Sequence, residues 1–223
     1  MQKQELAEII DYTLLKPTTN KEDIKTFCEE TIEYGFKTVF VNPYYVPYAY
    51  ELLSPHGIKV GAPIGFSLGG ATTKTKVAET KEAINNGAEE IDMLINLGAL
   101  KSQEYDVVKH DISEVVKVSE GLTTKVIIEN GLLSHDEKIT AAKLIVEAGA
   151  DFVKTATGFN GGGATVEDVK LLRSVVGEDF GVKAAGGVRT YEDALAIIEA
   201  GADRIGASGA IAIVTGGKSN AAY

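Results

Sequence analysis

The 223-residue chain is 44% apolar and 24% charged, with 24 glycines and only five prolines, which suits one large α/β domain with its own core and many tight turns. Its formal charge of −10, from 32 acidic and 22 basic side chains, argues against nucleic acid or an anionic membrane as a partner, because phosphate backbones demand basic patches. A local cationic pocket for a small anion stays open. The one cysteine, Cys28, excludes an intramolecular disulfide and reads as a small buried side chain on a helix.

Taken in order, apolar runs rich in β-branched residues predict strands over 9–15, 38–42, 59–66, 90–96, 125–130, 152–157, 181–186 and 204–207. Amphipathic stretches between them predict helices, among them 72–86, 104–120, 134–148, 165–176 and 191–200. Such alternation builds a parallel sheet with helices outside it. An internal repeat supports the pattern: Glu147-Ala148-Gly149-Ala150-Asp151 returns as Glu199-Ala200-Gly201-Ala202-Asp203, each time before a strand. Each glycine fits a left-handed helix end.

Eight such units predict a single-domain α/β fold, the (β/α)₈ TIM barrel, over 1–215, with a flexible tail over 216–223. The alternative, an open doubly wound sheet, usually carries an early Gly-rich turn. Here the first strand runs into Lys16-Pro17-Thr18-Thr19-Asn20, without a glycine. The barrel is preferred.

Parallel strands are buried on both faces and should be apolar. Asp11, Asp92, Glu129, Lys154 and Lys183 break that rule, and their placement is expected towards the C-terminal strand ends, where barrels carry their chemistry. Two lysines facing one cavity repel, and burial further disfavours their charge, so at least one must have a depressed pKa. A neutral lysine amine can attack a carbonyl and form an imine, an electron sink for breaking a neighbouring C–C bond. Asp92 fits proton transfer, the holding of a water, or the positioning of an ammonium group. Asp11 fits a similar role or a structural network, and Glu129 fits the satisfaction of buried donors. The bland alternative is a structural ion pair without chemistry.

Gly186-Gly187-Val188-Arg189 and Gly206-Ala207-Ser208-Gly209 follow the last two strands. These are the loops where barrels frequently bind phosphate. Gly158 and the run Gly161-Gly162-Gly163 add donors or a lid. The three histidines show no ligand spacing, so no metal site and no cofactor are expected. The terminal Tyr223, on a Gly/Ser-rich tether, is a candidate to swing over the mouth.

Residues 10–17, the stretch Ile91-Asp92-Met93, Lys154-Thr155-Ala156-Thr157-Gly158-Phe159 and Lys183-Ala184-Ala185-Gly186-Gly187-Val188-Arg189 together resemble the deoxyribose-phosphate aldolases, a class I family, over essentially the whole chain. The resemblance implies reversible cleavage of 2-deoxy-D-ribose 5-phosphate to D-glyceraldehyde 3-phosphate and acetaldehyde. It assigns Lys154 to the imine, Lys183 to lowering its pKa, Asp92 to proton relay and Tyr223 to a catalytic contribution. Three positions depart from the family's usual residues: Phe40 for Cys, Tyr12 for His and Ser67 for Pro. They bear on substrate breadth and aldehyde tolerance.

The rivals are a Schiff-base dehydratase or transaldolase on the same scaffold, and a silent phosphosugar-binding regulator. A homodimer is expected from the prevalence of twofold assemblies. The charged N-terminal stretch MQKQELAEII lacks the apolar core of a signal peptide, and no run approaches the roughly 18 apolar residues of a membrane span. The cytoplasm is the expected location.

Overall fold

The computed structural model describes residues 2–219. Eight parallel strands, β1 (Ile10–Leu14), β2 (Thr38–Val41), β3 (Lys59–Ile64), β4 (Glu90–Leu94), β5 (Thr123–Ile127), β6 (Phe152–Lys154), β7 (Gly181–Ala185) and β8 (Arg204–Ala207), close in chain order, with β8 paired to β1. Around them run α1 (Lys3–Ala7), α2 (Lys21–Tyr34), α3 (Val46–Leu53), α4 (Thr73–Asn85), α5 (Leu97–Lys101), α6 (Tyr105–Val118), α7 (His135–Glu147), α8 (Val166–Val176), α9 (Tyr191–Glu199) and α10 (Ala210–Thr215). This is the expected (β/α)₈ barrel.

Local chemistry sets the helix boundaries. Asn20, Ser134 and Thr190 form reciprocal capping boxes at the starts of α2, α7 and α9, satisfying amides that have no partner within the helix. In the repeat, Gly149 and Gly201 take φ of 82° and 109°, a region that penalises any Cβ.

Strand ends differ from expectation. β5 starts at Thr123 and stops at Ile127, because the chain turns at Glu129, a non-glycine residue with φ of 54°. β6 stops at Lys154, and the hydroxyl of the following Thr155 takes over strand-like bonding, accepting from Ala185 N and donating to Ala185 O, both at 2.9 Å.

The apolar core lies between barrel and helices. Outward strand residues such as Val39, Val60, Ile91, Val126, Val153 and Val182 are fully buried there with Ile24, Ile112, Ile145 and Leu172 of the helices. Cys28 is also buried on α2, and burial pushes its thiol up to about 12.

The barrel interior is different. Successive side chains alternate faces, so Asp11, Glu90, Asp92, Lys125, Lys154, Lys183 and Arg204 meet inside, where barrels usually hold branched apolar residues. The two large inward rings fit against glycines. A Cβ on Gly61 would stand 2.3 Å from the Phe40 ring, and one on Gly181 2.3 Å from the Phe152 ring.

Candidate active site

Lys154 and Lys183 stand opposite each other in the β6–β7 register. Both amines donate to one oxygen, Asp92 Oδ2, each at 2.7 Å. Lys183 Nζ also lies 2.5 Å from Asp11 Oδ2. Lys125 Nζ lies 3.1 Å from Asp92 Oδ1 and 2.5 Å from Glu90 Oε2. Arg204 closes the layer below: Nε donates to Asp11 Oδ1 at 2.9 Å, and the guanidinium reaches Glu90 Oε2 at 3.2 Å and Thr38 Oγ1 at 3.1 Å.

This cluster reaches through the barrel instead of gathering at the C-terminal strand ends. Arg204 and Glu90 are the first residues of their strands, and Asp11 the second of its own; only Lys154 ends one. Inward alternation stacks the charges in layers, and each layer pairs with the next. Lys125 and Lys183 are fully buried, whereas Lys154 keeps 6% of its surface exposed. Lys154 is therefore the lysine of the cluster that faces an entering molecule.

The charges do not balance. Lys125, Lys154, Lys183 and Arg204 face three carboxylates, those of Asp11, Glu90 and Asp92. Burial pushes the Lys183 ammonium down to about 8, and Lys154 and Lys125 add repulsion against the attraction of Asp11 and Asp92. Burial would raise the carboxyl of Asp92, yet Lys125, Lys154 and Lys183 hold it well below the usual carboxylate range. Asp11 is lowered too: burial opposes its charge, and Lys183, Lys125 and Arg204 outweigh the burial. Lys125 goes the other way. Despite its burial, Asp92, Asp11 and Glu90 raise its pKa, so it stays cationic.

Phe40, at the position where the resembled family has Cys, walls this chamber. Its ring centroid lies 4.0 Å from Lys183 Nζ, 4.8 Å from Lys125 Nζ and 5.8 Å from Lys154 Nζ, within the range of cation–π attraction. Tyr12 points away, packing against Phe27 and Phe36 and donating to Glu30 Oε2 at 2.9 Å. Ser67 lies on the loop after β3, where its carbonyl accepts from Asn160 Nδ2 at 2.7 Å.

Glu129 binds the loop after β6. Its carboxylate accepts from Thr157 N at 3.1 Å, Thr157 Oγ1 at 2.5 Å and Asn160 Nδ2 at 2.9 Å. Because Asn160 also reaches Ser67 O, the loops after β3, β5 and β6 are tied together above Lys154.

The glycine loops converge beside this mouth. Gly158, Gly186 and Gly187 are left-handed, with φ of 84°, 82° and 81°. A Cβ on Gly186 would stand 3.6 Å from Gly158 Cα, and one on Gly163 would stand 2.7 Å from Gly186 O. Arg189 N and Thr190 N are already taken by Asp193 Oδ2, each at 3.0 Å, so the start of α9 is capped from within. The Arg189 side chain is exposed and Ser208 half-buried. Gly206 stands inside β8, where an added Cβ would lie 3.2 Å from Lys183 Cε. Gly216 caps α10, and Ser219 is buried with its N–H donating to Arg189 O at 3.0 Å. Tyr223 lies outside the described residues.

The sequence pattern does not single out Lys125, Glu90 or Arg204. The rule that flagged Lys154 applies to Lys125 once β5 is seen to start at Thr123, which places this lysine mid-strand.

Residues 8–214 match the profile described as DeoC/LacD family aldolase. The chain belongs to this family. As a DeoC/LacD aldolase it is 63% identical over 223 residues to deoxyribose-phosphate aldolase 2 of Oceanobacillus iheyensis, covering 100% of both chains. It is 56% identical to the deoxyribose-phosphate aldolase of Thermococcus kodakarensis, covering 97% of this chain and 98% of that one. Among solved structures, the deoxyribose phosphate aldolase of Aeropyrum pernix, described as a unique tetramer, superposes with a TM-score of 0.90 at 34% identity, covering 96% of this aldolase and 91% of that chain. No helix among the described residues is long and apolar enough to cross a membrane.

Proposed function

We infer that this aldolase reversibly cleaves 2-deoxy-D-ribose 5-phosphate to D-glyceraldehyde 3-phosphate and acetaldehyde through an imine on Lys154. The observation that carries the reading is the pair of amines sharing Asp92 Oδ2 in a chamber with one cation more than it has carboxylates. Release of one ammonium proton balances the cluster, and an unprotonated lysine is the species that attacks carbonyl carbon.

Lys154, the exposed member of the pair, attacks the aldehyde carbon of the open-chain sugar phosphate. Loss of water gives a protonated imine. The hydroxyl on C3 then gives up its proton, the C2–C3 bond breaks towards the imine, and the phosphorylated triose leaves. The remaining enamine takes a proton at carbon and is hydrolysed to acetaldehyde. With a value of about 8, Lys183 suits proton exchange near neutral pH. Asp92, held ionised by three ammonium groups, positions both amines and accepts from water in the relay, and Asp11 fixes Lys183 from below. The chamber's own residues supply these steps, and the reading invokes neither metal nor cofactor.

Phosphate fits the loop amides at Gly158, Gly186 and Gly187, with Arg189 and Ser208 at the rim and Gly206 behind them. Left-handed glycines turn successive N–H groups towards one point. We place Tyr223 as an assistant in proton transfer, the enzyme in the cytoplasm, and its assembly as a homodimer, which light scattering tests against a tetramer.

Product analysis with 2-deoxy-D-ribose 5-phosphate tests the reaction. Equimolar acetaldehyde and triose phosphate are expected. A dehydrated product, a transferred three-carbon unit, or binding without turnover would favour the rival scaffold functions.

A further inference from the structure

We propose that the buried layer beneath the amines, formed by Glu90, Lys125 and Arg204, sets the pH at which the Lys154–Lys183 pair gives up its proton. The proposal rests on the imine reading above and assigns these three residues as positioning residues, since none of them reaches the mouth.

β1 contributes Asp11, β4 Glu90 and Asp92, β5 Lys125, β6 Lys154, β7 Lys183 and β8 Arg204. At these levels β2 offers Thr38 and Phe40, and β3 offers Gly61 and Pro63, all uncharged. Glu129, past the end of β5, is engaged by Thr157 and Asn160.

The links run in series. Arg204 and Lys125 both bind Glu90, Lys125 binds the Asp92 carboxylate from the side opposite the amine pair, and Arg204 binds the Asp11 oxygen opposite Lys183. Lys125 and Arg204 therefore act on the amines through one intervening carboxylate, and Glu90 acts through these two cations. Burial leaves these charges weakly screened, so removal of a cation from this layer strengthens the hold of Asp92 and Asp11 on the amine protons. Removal of a carboxylate weakens it.

The two changes have opposite signs, and that is the test. With the purified enzyme, the pH dependence of kcat/KM and of borohydride-trapped adduct is measured for Glu90→Gln, Lys125→Met and the double variant, with circular dichroism checking the fold. Lys125→Met is expected to move the acid limb up by about one pH unit and Glu90→Gln to move it down by a similar amount, about tenfold in rate at fixed acid pH. The double variant keeps the original surplus of one cation and is expected to return to the wild-type midpoint. Should Glu90→Gln fail to fold, Lys125→Met against the charge-conserving Lys125→Arg carries the comparison, with a shift expected only in the first. Shifts of the same sign, or unmoved midpoints in folded variants, overturn the proposal. Absence of any wild-type adduct at any pH would instead overturn the imine reading itself.

Discussion

Lys183 lies between two carboxylates, 2.5 Å from Asp11 Oδ2 and 2.7 Å from Asp92 Oδ2, whereas its neighbour Lys154 is paired with Asp92 alone. The difference divides the labour. The doubly held, fully buried amine stays in place beside its neighbour and exchanges protons, and the singly held one at the mouth is the nucleophile.

Lys183→Leu follows directly. The variant keeps Asp92 paired with Lys125 and Asp11 paired with Arg204, so the barrel is expected to fold. Turnover is expected to drop by at least about 100-fold, the usual scale for losing a proton-handling group. Unchanged kcat near neutral pH in a folded variant would contradict the role given to Lys183.

Stability should carry the same signature. The folded value of Lys183, about 8, lies below that of an unfolded lysine, near 10.4. Between those values the unfolded chain binds more protons, so stability from this group rises with pH from about 8 to about 10. Asp11 and Asp92 behave oppositely: their lowered values give stability present above about pH 4 that is lost as pH falls through the folded values. Denaturant midpoints of wild type minus Lys183→Met should climb across the alkaline window; a flat difference would contradict the assignment.

Phe40 and Gly61 are register partners on β2 and β3, and the ring occupies the space where a Cβ on residue 61 would stand. Gly61→Ala is expected to cost about 1–3 kcal/mol by overpacking, and Phe40→Ala about 3–5 kcal/mol by cavity formation. Chemical denaturation measures both. With Phe40 here and Cys28 buried, the chamber presents no thiol. Prolonged exposure to reactive aldehydes should therefore leave no cysteine adduct in the native enzyme, while Phe40→Cys should acquire one, as read by mass spectrometry.

Glu129→Gln tests the tie between loops. It weakens acceptors for Thr157 N, Thr157 Oγ1 and Asn160 Nδ2, groups costly to leave unpaired in a buried site. A loss of about 1–3 kcal/mol in stability is expected, together with lower kcat as the segment after Lys154 loosens. A variant with wild-type stability and kcat would remove the loop-holding role.

The barrel and its amine pair were legible because both depend on local pattern. Strand–helix alternation gives the topology, and a lysine inside an apolar parallel strand is conspicuous wherever the strand bounds are right, as for Lys154 and Lys183. Lys125 is hidden because the apolar pattern begins only there, whereas β5 starts at Thr123, and Glu90 and Arg204 stand first in their strands, where a charge looks solvated. The partnership of Phe40 with Gly61 depends on inter-strand register, which a linear sequence does not display. Glu129 looked like another strand charge, because nothing local marks the left-handed turn that carries it out of β5.

Lys154 is expected to form the covalent link to substrate. Borohydride reduction in the presence of 2-deoxy-D-ribose 5-phosphate, followed by peptide mapping, locates that link. One reduced adduct is expected, on the peptide bearing Lys154, and none in Lys154→Ala. An adduct on Lys183 or Lys125, or undiminished turnover in Lys154→Ala, would contradict the assignment of Lys154.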